Sequence, residues 1–532
     1  MAPGLLVLQG EWPKSRAERT DYAETSRYSD VIEFVAELQR MSPNVVVENF
    51  GVTNQGRELP LVIISKPKVR TPLEAARSGK VLVLILANIH AGEVEGKEAS
   101  QHLMRDVIAG PLARLLDRLI LLVIPIYNAD GNEAIDLGNR PQQNGPTGVG
   151  KRENAQGLDL NRDFMKLETP EARGLITKVL NRWDPHLVMD LHTTNGSYHG
   201  YALTYAPPLN PNTDRRITAF LRNKLLPEVS KTMLAKYNYR TYYYGNFGDP
   251  DTGREVFGGS PRAWVTFDHR PRFSTNYVGL RNRLAILSEA YSYLDFRTRV
   301  DVTYKFVRSV LEHLWANSNQ VLKLIGEADR DSARAGTTAG NQRGFGIAFE
   351  KKASDKPVNI LVGSVTRAGT RLEATGEAKP VRMIEYGEFR AARRLKAPAA
   401  YLLAPDQRRA AEMLIAHGIT VERLDREMEL DVEQYLIKEI TRAERPFQGH
   451  RETKLKVEAS MVRRIFPKGS YLVSMRQPKA ALIFYLLEPE SDDGLANWNF
   501  FDDYLQKVAT PAVYPVYRAP REPAVARRVI PE

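Results

Sequence analysis

The spacing of apolar positions along this chain changes period several times. VIEFVAELQRM at 31–41 places them at helical intervals. NVVVENFGV and ELPLVIISK flank Thr53-Asn-Gln-Gly-Arg57 and predict two strands joined by a turn. VLVLILANI at 81–89 is an unbroken apolar run, the mark of a strand buried on both faces of a helix-covered parallel sheet. LILLVIPIY (119–127) and HLVMDL (186–191) repeat it, and AWVTF (263–267) and LAILS (284–288) follow. EGKEASQHLMRDVIA and TPEARGLITKVLNRW lie between them with helical periodicity. This alternation predicts an α/β fold: a mixed, mostly parallel sheet flanked by helices.

FVRSVLEHLWANSNQVLKLIG at 306–326 predicts one long amphipathic helix closing this part. DRDSARAGTTAGNQRG (329–344) then loses periodicity and reads as a linker. The pattern therefore divides the chain into residues 1–330 and a β-rich C-terminal region, 331–532. That region shows many short β-branched runs and one strand–helix–strand unit, AAYLLAPDQRRAAEMLIAHGITVERL. No cluster of chemistry-bearing residues stands out in it, and its role is not legible.

At 532 residues the chain is long enough for more than one core. Hydrophobic content of 43% and a mean hydropathy of −0.38 describe a globular protein, and no apolar run reaches the roughly 20 residues that span a bilayer. The opening MAPGLLVLQGEWPKSR has no basic n-region and only a short apolar stretch, so it is a poor signal peptide. A secreted or periplasmic protein stripped of its signal would look the same, so export stays open against a cytoplasmic location. The absence of cysteine excludes disulfides and thiolate metal sites, leaving His, Asp and Glu as metal ligands. The net charge of +11 is scattered, with RAARRLK (390–396) the densest cluster, and no nucleic-acid partner is expected.

Residues 145–151, GPTGVGK, match seven of the eight positions of a phosphate-cradling P-loop. The match fails on context. Polar residues separate it from the preceding strand, Arg152 stands where Ser or Thr would hold magnesium, and no helix pattern follows. The same loop carries Arg152, Asp159, Asn161 and Arg162. Two guanidiniums and an amide suit the binding of a carboxylate and an oxyanion.

His90-Ala-Gly-Glu93 sits at the carboxyl end of the 81–89 strand, where open α/β sheets gather ligands. The 186–191 strand likewise runs into His192. Two histidines and one glutamate with a fourth position free have the composition of a catalytic zinc site. His102 and His313 fall on predicted helices, and His199 and His269 lack a partner at ligand spacing, so these read as structural or exposed. Glu289 ends the apolar stretch LAILSE and is read either as functional or as a surface residue just past the strand.

These motifs together resemble the M14, carboxypeptidase A-like, zinc carboxypeptidases. The order is H-x-x-E, then P-x-x-N-x-D-G (125–131), R-x-N-A-x-G-x-D-L-N-R (152–162), Asp-Leu-His192 and Ser-Glu289, entered by the G-x-T-x-x-G-R turn. The resemblance covers roughly residues 28–311. It implies that His90, Glu93 and His192 bind one zinc ion per chain and that Asp159 orients His90. It implies that Asn161 and Arg162 hold the substrate's terminal carboxylate and that Arg152 stabilises the oxyanion. Glu289 would be general base and proton donor, and Tyr277 a mobile cap over the bound carboxylate. Two positions depart from the family: Gly92 replaces an arginine that contacts substrate, and Asp163 follows Asn161-Arg162 where Asn is usual.

Three functions follow as expectations. The first is a zinc metallocarboxypeptidase acting on peptides through a Glu-activated water. The second is a related deacylase or amidase acting on N-acyl amino acids or cell-wall peptides, which Asp-Leu-His192-Thr-Thr also suggests. The third is an inactive member serving as a binding or scaffold protein.

Overall fold

The computed structural model describes residues 12–256, 261–334, 344–524 and 527–530. The first predicted helix forms over Tyr28–Met41 and buries Val31, Phe34, Val35 and Leu38 at the spacing of its apolar stripe. Ten strands follow: β1 Val45–Val52, β2 Glu58–Ile64, β3 Val81–Ala87, β4 Leu119–Ile124, β5 Leu187–Thr194, β6 Leu203–Ala206, β7 Thr241–Tyr243, β8 Asn246–Gly248, β9 Ala263–Val265 and β10 Leu284–Tyr291. Eight of them form one sheet in the order β1-β2-β4-β3-β5-β10-β6-β7. Its centre, β4-β3-β5-β10, is parallel. β3, β4 and β5 are buried along their whole length; β3 and β4 carry no polar face, while β5 turns Asp190, His192 and Thr194 to one side.

This order places a topological reversal beside β3. The helix Glu95–Ala109 carries the chain from β3 to β4 on one side, while β5 pairs on the other. Loops leaving a reversal diverge and open a crevice at the carboxyl ends of the strands. His90 follows β3, His192 lies on β5 and Glu289 on β10, so three adjacent parallel strands deliver the candidate residues to one edge.

Some expectations need correction. AWVTF does not extend the main sheet: β9 pairs with β8 and with a strand of the C-terminal region. A short strand buried on both faces reads alike in any sheet. The single helix expected at 306–326 is two, Phe296–Ala316 and Ser318–Arg334. Asn317 interrupts them, its side-chain amide donating to the His313 carbonyl at 2.8 Å, a local bond that competes with helix continuation. The second helix runs through the expected boundary at 330. Residues 335–343 of the expected linker, and residues 1–11, lie outside the described residues.

The C-terminal strands are also longer than expected. β11 Gly344–Lys352 pairs with β14 Glu388–Lys396 as a two-stranded ribbon that sets Lys351 opposite Phe389. β12 Val358–Ala368 pairs with β13 Arg371–Tyr386. The strand–helix–strand unit forms as β15 Ala400–Leu403, helix Arg408–Ala416 and β16 Glu422–Leu424. β17 Met428–Arg442 and β18 Thr453–Phe466 then make a hairpin. β13, β17 and β18 have 16, 15 and 14 residues, with long stretches exposed or half-buried, so apolar runs marked only their covered parts. One hydrophobic cluster runs from Val31 through Tyr277 to Tyr401, Phe484 and Val516, so both parts share a core. Among the described residues no helix is long and apolar enough to cross a membrane.

Candidate active site

The turn after β3 brings His90 and Glu93 beside His192, with one ligand atom of each within 4.8 Å of the others. The His90 and His192 Nδ1 atoms are 3.1 Å apart, and the Glu93 carboxylate is 3.2 Å from the first and 3.0 Å from the second. All three residues are buried. Two ring nitrogens and a carboxylate that converge in this way form a donor set suited to a cation. The outward nitrogens are held by carboxylates: His90 Nε2 lies 3.0 Å from Asp159 Oδ1 and His192 Nε2 2.9 Å from Asp190 Oδ2. Such partners fix the tautomer that leaves Nδ1 free to ligate. Asp190, two positions before His192 on the same face of β5, was missed; the period of two along a strand could have found it.

The 152–162 loop reaches this cluster because glycine lets it. A Cβ on Gly150 would stand 2.5 Å from the Gly131 carbonyl and 2.8 Å from that of Ala91. Gly150, which stands where the second glycine of a P-loop would, thus serves close approach to the H-x-x-E turn. The other motifs brace the same corner. Asn128 donates to the Arg152 carbonyl at 3.0 Å, and Asp130 accepts from Thr53, Gln55 and Arg57 of the G-x-T-x-x-G-R turn.

Asp159 is a hub. Besides His90 it accepts from Arg152 Nε at 3.1 Å and Nη2 at 2.9 Å, and its Oδ1 accepts the Asn161 N–H at 2.9 Å. Burial would push its carboxyl up, but His90 and the guanidiniums of Arg152 and Arg162 hold it well below the usual range. Arg162 is compensated far less. Its guanidinium stacks over Phe273 at 4.1 Å and donates to the Asn161 carbonyl at 2.8 Å, while its nearest carboxylate, Asp159, stands 3.8 Å away. Burial, only partly opposed by Asp159, pushes it below its ordinary value. Asn161 accepts from the Ser274 N–H at 2.9 Å, and its amide nitrogen lies 3.4 Å from His192 Nε2.

Glu289 pairs in register with His192 across β5 and β10, so both side chains emerge on the same face. It lines a cavity of about 570 Å³ with His90, Glu93, Arg152, Asn161 and Arg162. Burial, with a contribution from the Glu93 charge, raises its carboxyl to about 8. A cation at the His–Glu–His cluster would draw it back down. The surface reading of Glu289 does not hold.

Tyr277 is not at the cavity. It is fully buried in the helix Ser274–Leu280, and its hydroxyl donates to His417 Nδ1 at 2.8 Å. Its place in RPRFSTNYVGLRNR gave no sign that the helix docks on the C-terminal region. The phenol that does line the cavity is Tyr244. His269 also lines it and lies 3.0 Å from Asp492, whereas His199 stacks at 4.1 Å on Tyr291 away from it. Asp163 is fully buried and accepts from Lys166 and Thr169, which makes it structural.

A different arginine stands behind Glu93. Arg140 donates to Glu93 Oε1 at 3.0 Å and to the Thr193 carbonyl at 3.0 Å. A Cβ at position 92 would stand 2.8 Å from the Arg140 side chain. Arg140 lies in irregular chain and left no sequence signal. The C-terminal region adds Lys351, Phe389 and Asp492 to the cavity wall.

Residues 31–275 match the family described as zinc carboxypeptidase, peptidase M14. That stretch, a little under half of the chain, is similar to this family. Among similar proteins, carboxypeptidase 2 of Trichophyton tonsurans is 24% identical over 494 residues, covering 88% of this chain and 81% of its own. Carboxypeptidase 2 of Trichophyton rubrum is also 24% identical, covering 91% and 85%. Of the solved structures, carboxypeptidase A from Helicoverpa armigera aligns with a TM-score of 0.40 at 15% identity, covering 56% of this chain and 75% of its own.

Proposed function

We propose that this M14 hydrolase is a zinc-dependent carboxypeptidase, with residues 1–330 as its catalytic part and 331–532 as a companion that walls the cavity. His90 and His192 through Nδ1 and Glu93 through its carboxylate would hold the ion. Zinc there would act as a Lewis acid toward the scissile carbonyl and lower the pKa of a water molecule. Glu289 takes the proton from the attacking water and returns it to the leaving amine. Arg152, placed by Asp159, faces the carbonyl oxygen as charge develops on it. Arg162 and Asn161 receive the terminal carboxylate. One observation carries this reading: a half-buried, under-compensated guanidinium shares a cavity with the His–Glu–His cluster and Glu289.

The test compares peptides with free and amidated C-termini. Breaking a buried charge pair costs about 3–5 kcal/mol. At about 1.4 kcal/mol per tenfold, the free acid should be favoured by roughly 10²- to 10³-fold in kcat/KM. Arg162→Ala should shrink that preference, whereas Arg152→Ala should slow both peptides. Equal cleavage of both peptides by the wild type would sink this reading and favour an endo-acting amidase. N-acyl amino acids, assayed in parallel, separate the deacylase alternative.

A further inference from the structure

The hairpin β17–β18 ends in a tight turn, with the Phe447 and His450 backbones exchanging hydrogen bonds of 2.7 and 3.0 Å. Its two central residues, Gln448 at φ 50° and Gly449 at φ 82°, are both left-handed. Such turns select Asn, Asp or Gly at the first of these positions, because a longer side chain is strained there. Gln448 is an exception to that selection, and strain held in place by its surroundings points to a role. The Gln448 side-chain carbonyl accepts the backbone N–H of Asp159 at 2.8 Å.

Asp159 is the hub that holds His90, Arg152 and the Asn161 N–H. It is buried, so without Gln448 its N–H would be left to a water or to nothing. The turn is itself seated on the catalytic part. His450 Nε2 lies 2.9 Å from Glu168, its Nδ1 lies 3.0 Å from Asn499, and Phe447 packs on Trp498 above the Arg272 guanidinium. Arg272 belongs to the segment that places Asp268, Arg270 and Phe273 in the cavity wall. The contact is therefore anchored on both sides and aimed at one peptide group.

We propose that Gln448 is a positioning residue: the C-terminal hairpin sets the Asp159 peptide, and through its carboxylate the ligand ring of His90, so that metal retention depends on a residue remote from the metal. Gln448 touches neither substrate nor metal. The proposal rests on the zinc reading above.

The experiment measures zinc affinity by competition with a chromophoric chelator, and apo-protein unfolding temperature, for the wild type and three variants. Gln448→Gly removes the hydrogen bond and also the left-handed strain. It should weaken zinc binding by about threefold to tenfold, at or below the low end for losing a partner of a metal ligand, since the contact is one bond further out. Its apo unfolding temperature should be unchanged or higher. Gln448→Ala should weaken zinc binding equally and lower the unfolding temperature. Gln448→Glu keeps the acceptor and should bind zinc within about twofold of the wild type. A loss of zinc affinity with no loss of stability in Gln448→Gly is what a merely structural contact would not produce. Unchanged affinity in Gln448→Gly would overturn the proposal, as would a loss of affinity accompanied by a lower unfolding temperature. A wild type that holds no zinc sinks the metal reading as well, whereas a zinc-loaded wild type with indifferent variants sinks only the hairpin's role.

Discussion

Glu289 and Arg162 sit in the same cavity with opposite needs: a carboxyl raised to about 8 by burial, and a guanidinium lowered by burial. A cation would relieve the first and an anion the second, which supports the proposed pairing of a metal with a carboxylate-bearing substrate. The role of Glu289 can be isolated because glutamine keeps its shape. Glu289→Gln should retain stoichiometric zinc by elemental analysis and the wild-type circular dichroism spectrum. Its kcat should fall at least about 10²-fold, the lower end of general-base effects. Near-normal turnover would move the base elsewhere. Glu95, fully buried against Arg299 at 2.9 Å, and Asp163, closed off by Lys166 and Thr169, are poorly placed to replace it.

Among the elements, the buried histidines pin strands and helices in their neutral form. His186 accepts the Leu82 N–H at 2.9 Å just before β5, and burial lowers it to about 4. His417 joins the helix Ser274–Leu280 to the end of the helix Arg408–Ala416. It accepts from the Tyr277 hydroxyl, lies 3.2 Å from the Met165 carbonyl, and is lowered by burial to about 3. Because these folded-state values lie below the unfolded one, the unfolded chain binds the extra protons. Their stabilisation is complete above about pH 6.5 and is lost as pH falls toward 4 and 3. His417→Gln should therefore flatten the acid limb of the apo-protein's stability curve by about 1.4 kcal/mol per pH unit, read from urea unfolding at stepped pH. An unchanged slope would place that protonation elsewhere. The legibility of the elements follows the same contrast between local and distant causes. β3, β4, β5 and β10 were readable because each is an apolar run bounded by polar residues, and the metal cluster because its members end such runs. The break at Asn317 rests on a local side-chain bond that apolar periodicity does not register, whereas the docking of Tyr277 and the reach of Arg140 depend on partners far along the chain.

For the molecule as a whole, the shared core and buried ion pairs predict that the two parts fold as one unit. Arg272, almost wholly buried, is neutralised by Asp493 at 2.8 Å and Glu452 at 2.6 Å, both from the C-terminal region. Removing a buried cation's partners typically costs about 3–5 kcal/mol, a large share of a domain's net stability of about 5–15 kcal/mol. The full chain should give one calorimetric transition, and residues 12–334 alone should bind the dye ANS and lack a near-ultraviolet dichroism signal. Two resolved transitions, or a native-like fragment, would show that the parts fold separately. The cavity had a misleadingly simple look in sequence for this reason: Lys351, Phe389 and Asp492 close it from a region whose pattern carries no chemistry of its own.

The pairing of Gly92 with Arg140 bears on how such a site is inherited and redesigned. Position 92 lacks the arginine that the resemblance leads one to expect, and a guanidinium from a loop 47 residues downstream meets the Glu93 carboxylate. The two positions are mutually exclusive occupants of one space, because the room that an arginine at 92 would need is filled by the Arg140 stem and the Gly150 carbonyl. Introducing an arginine at position 92 would therefore evict the one already there. The unit that can be exchanged between such proteins is the pair of positions with its loop, not the single letter.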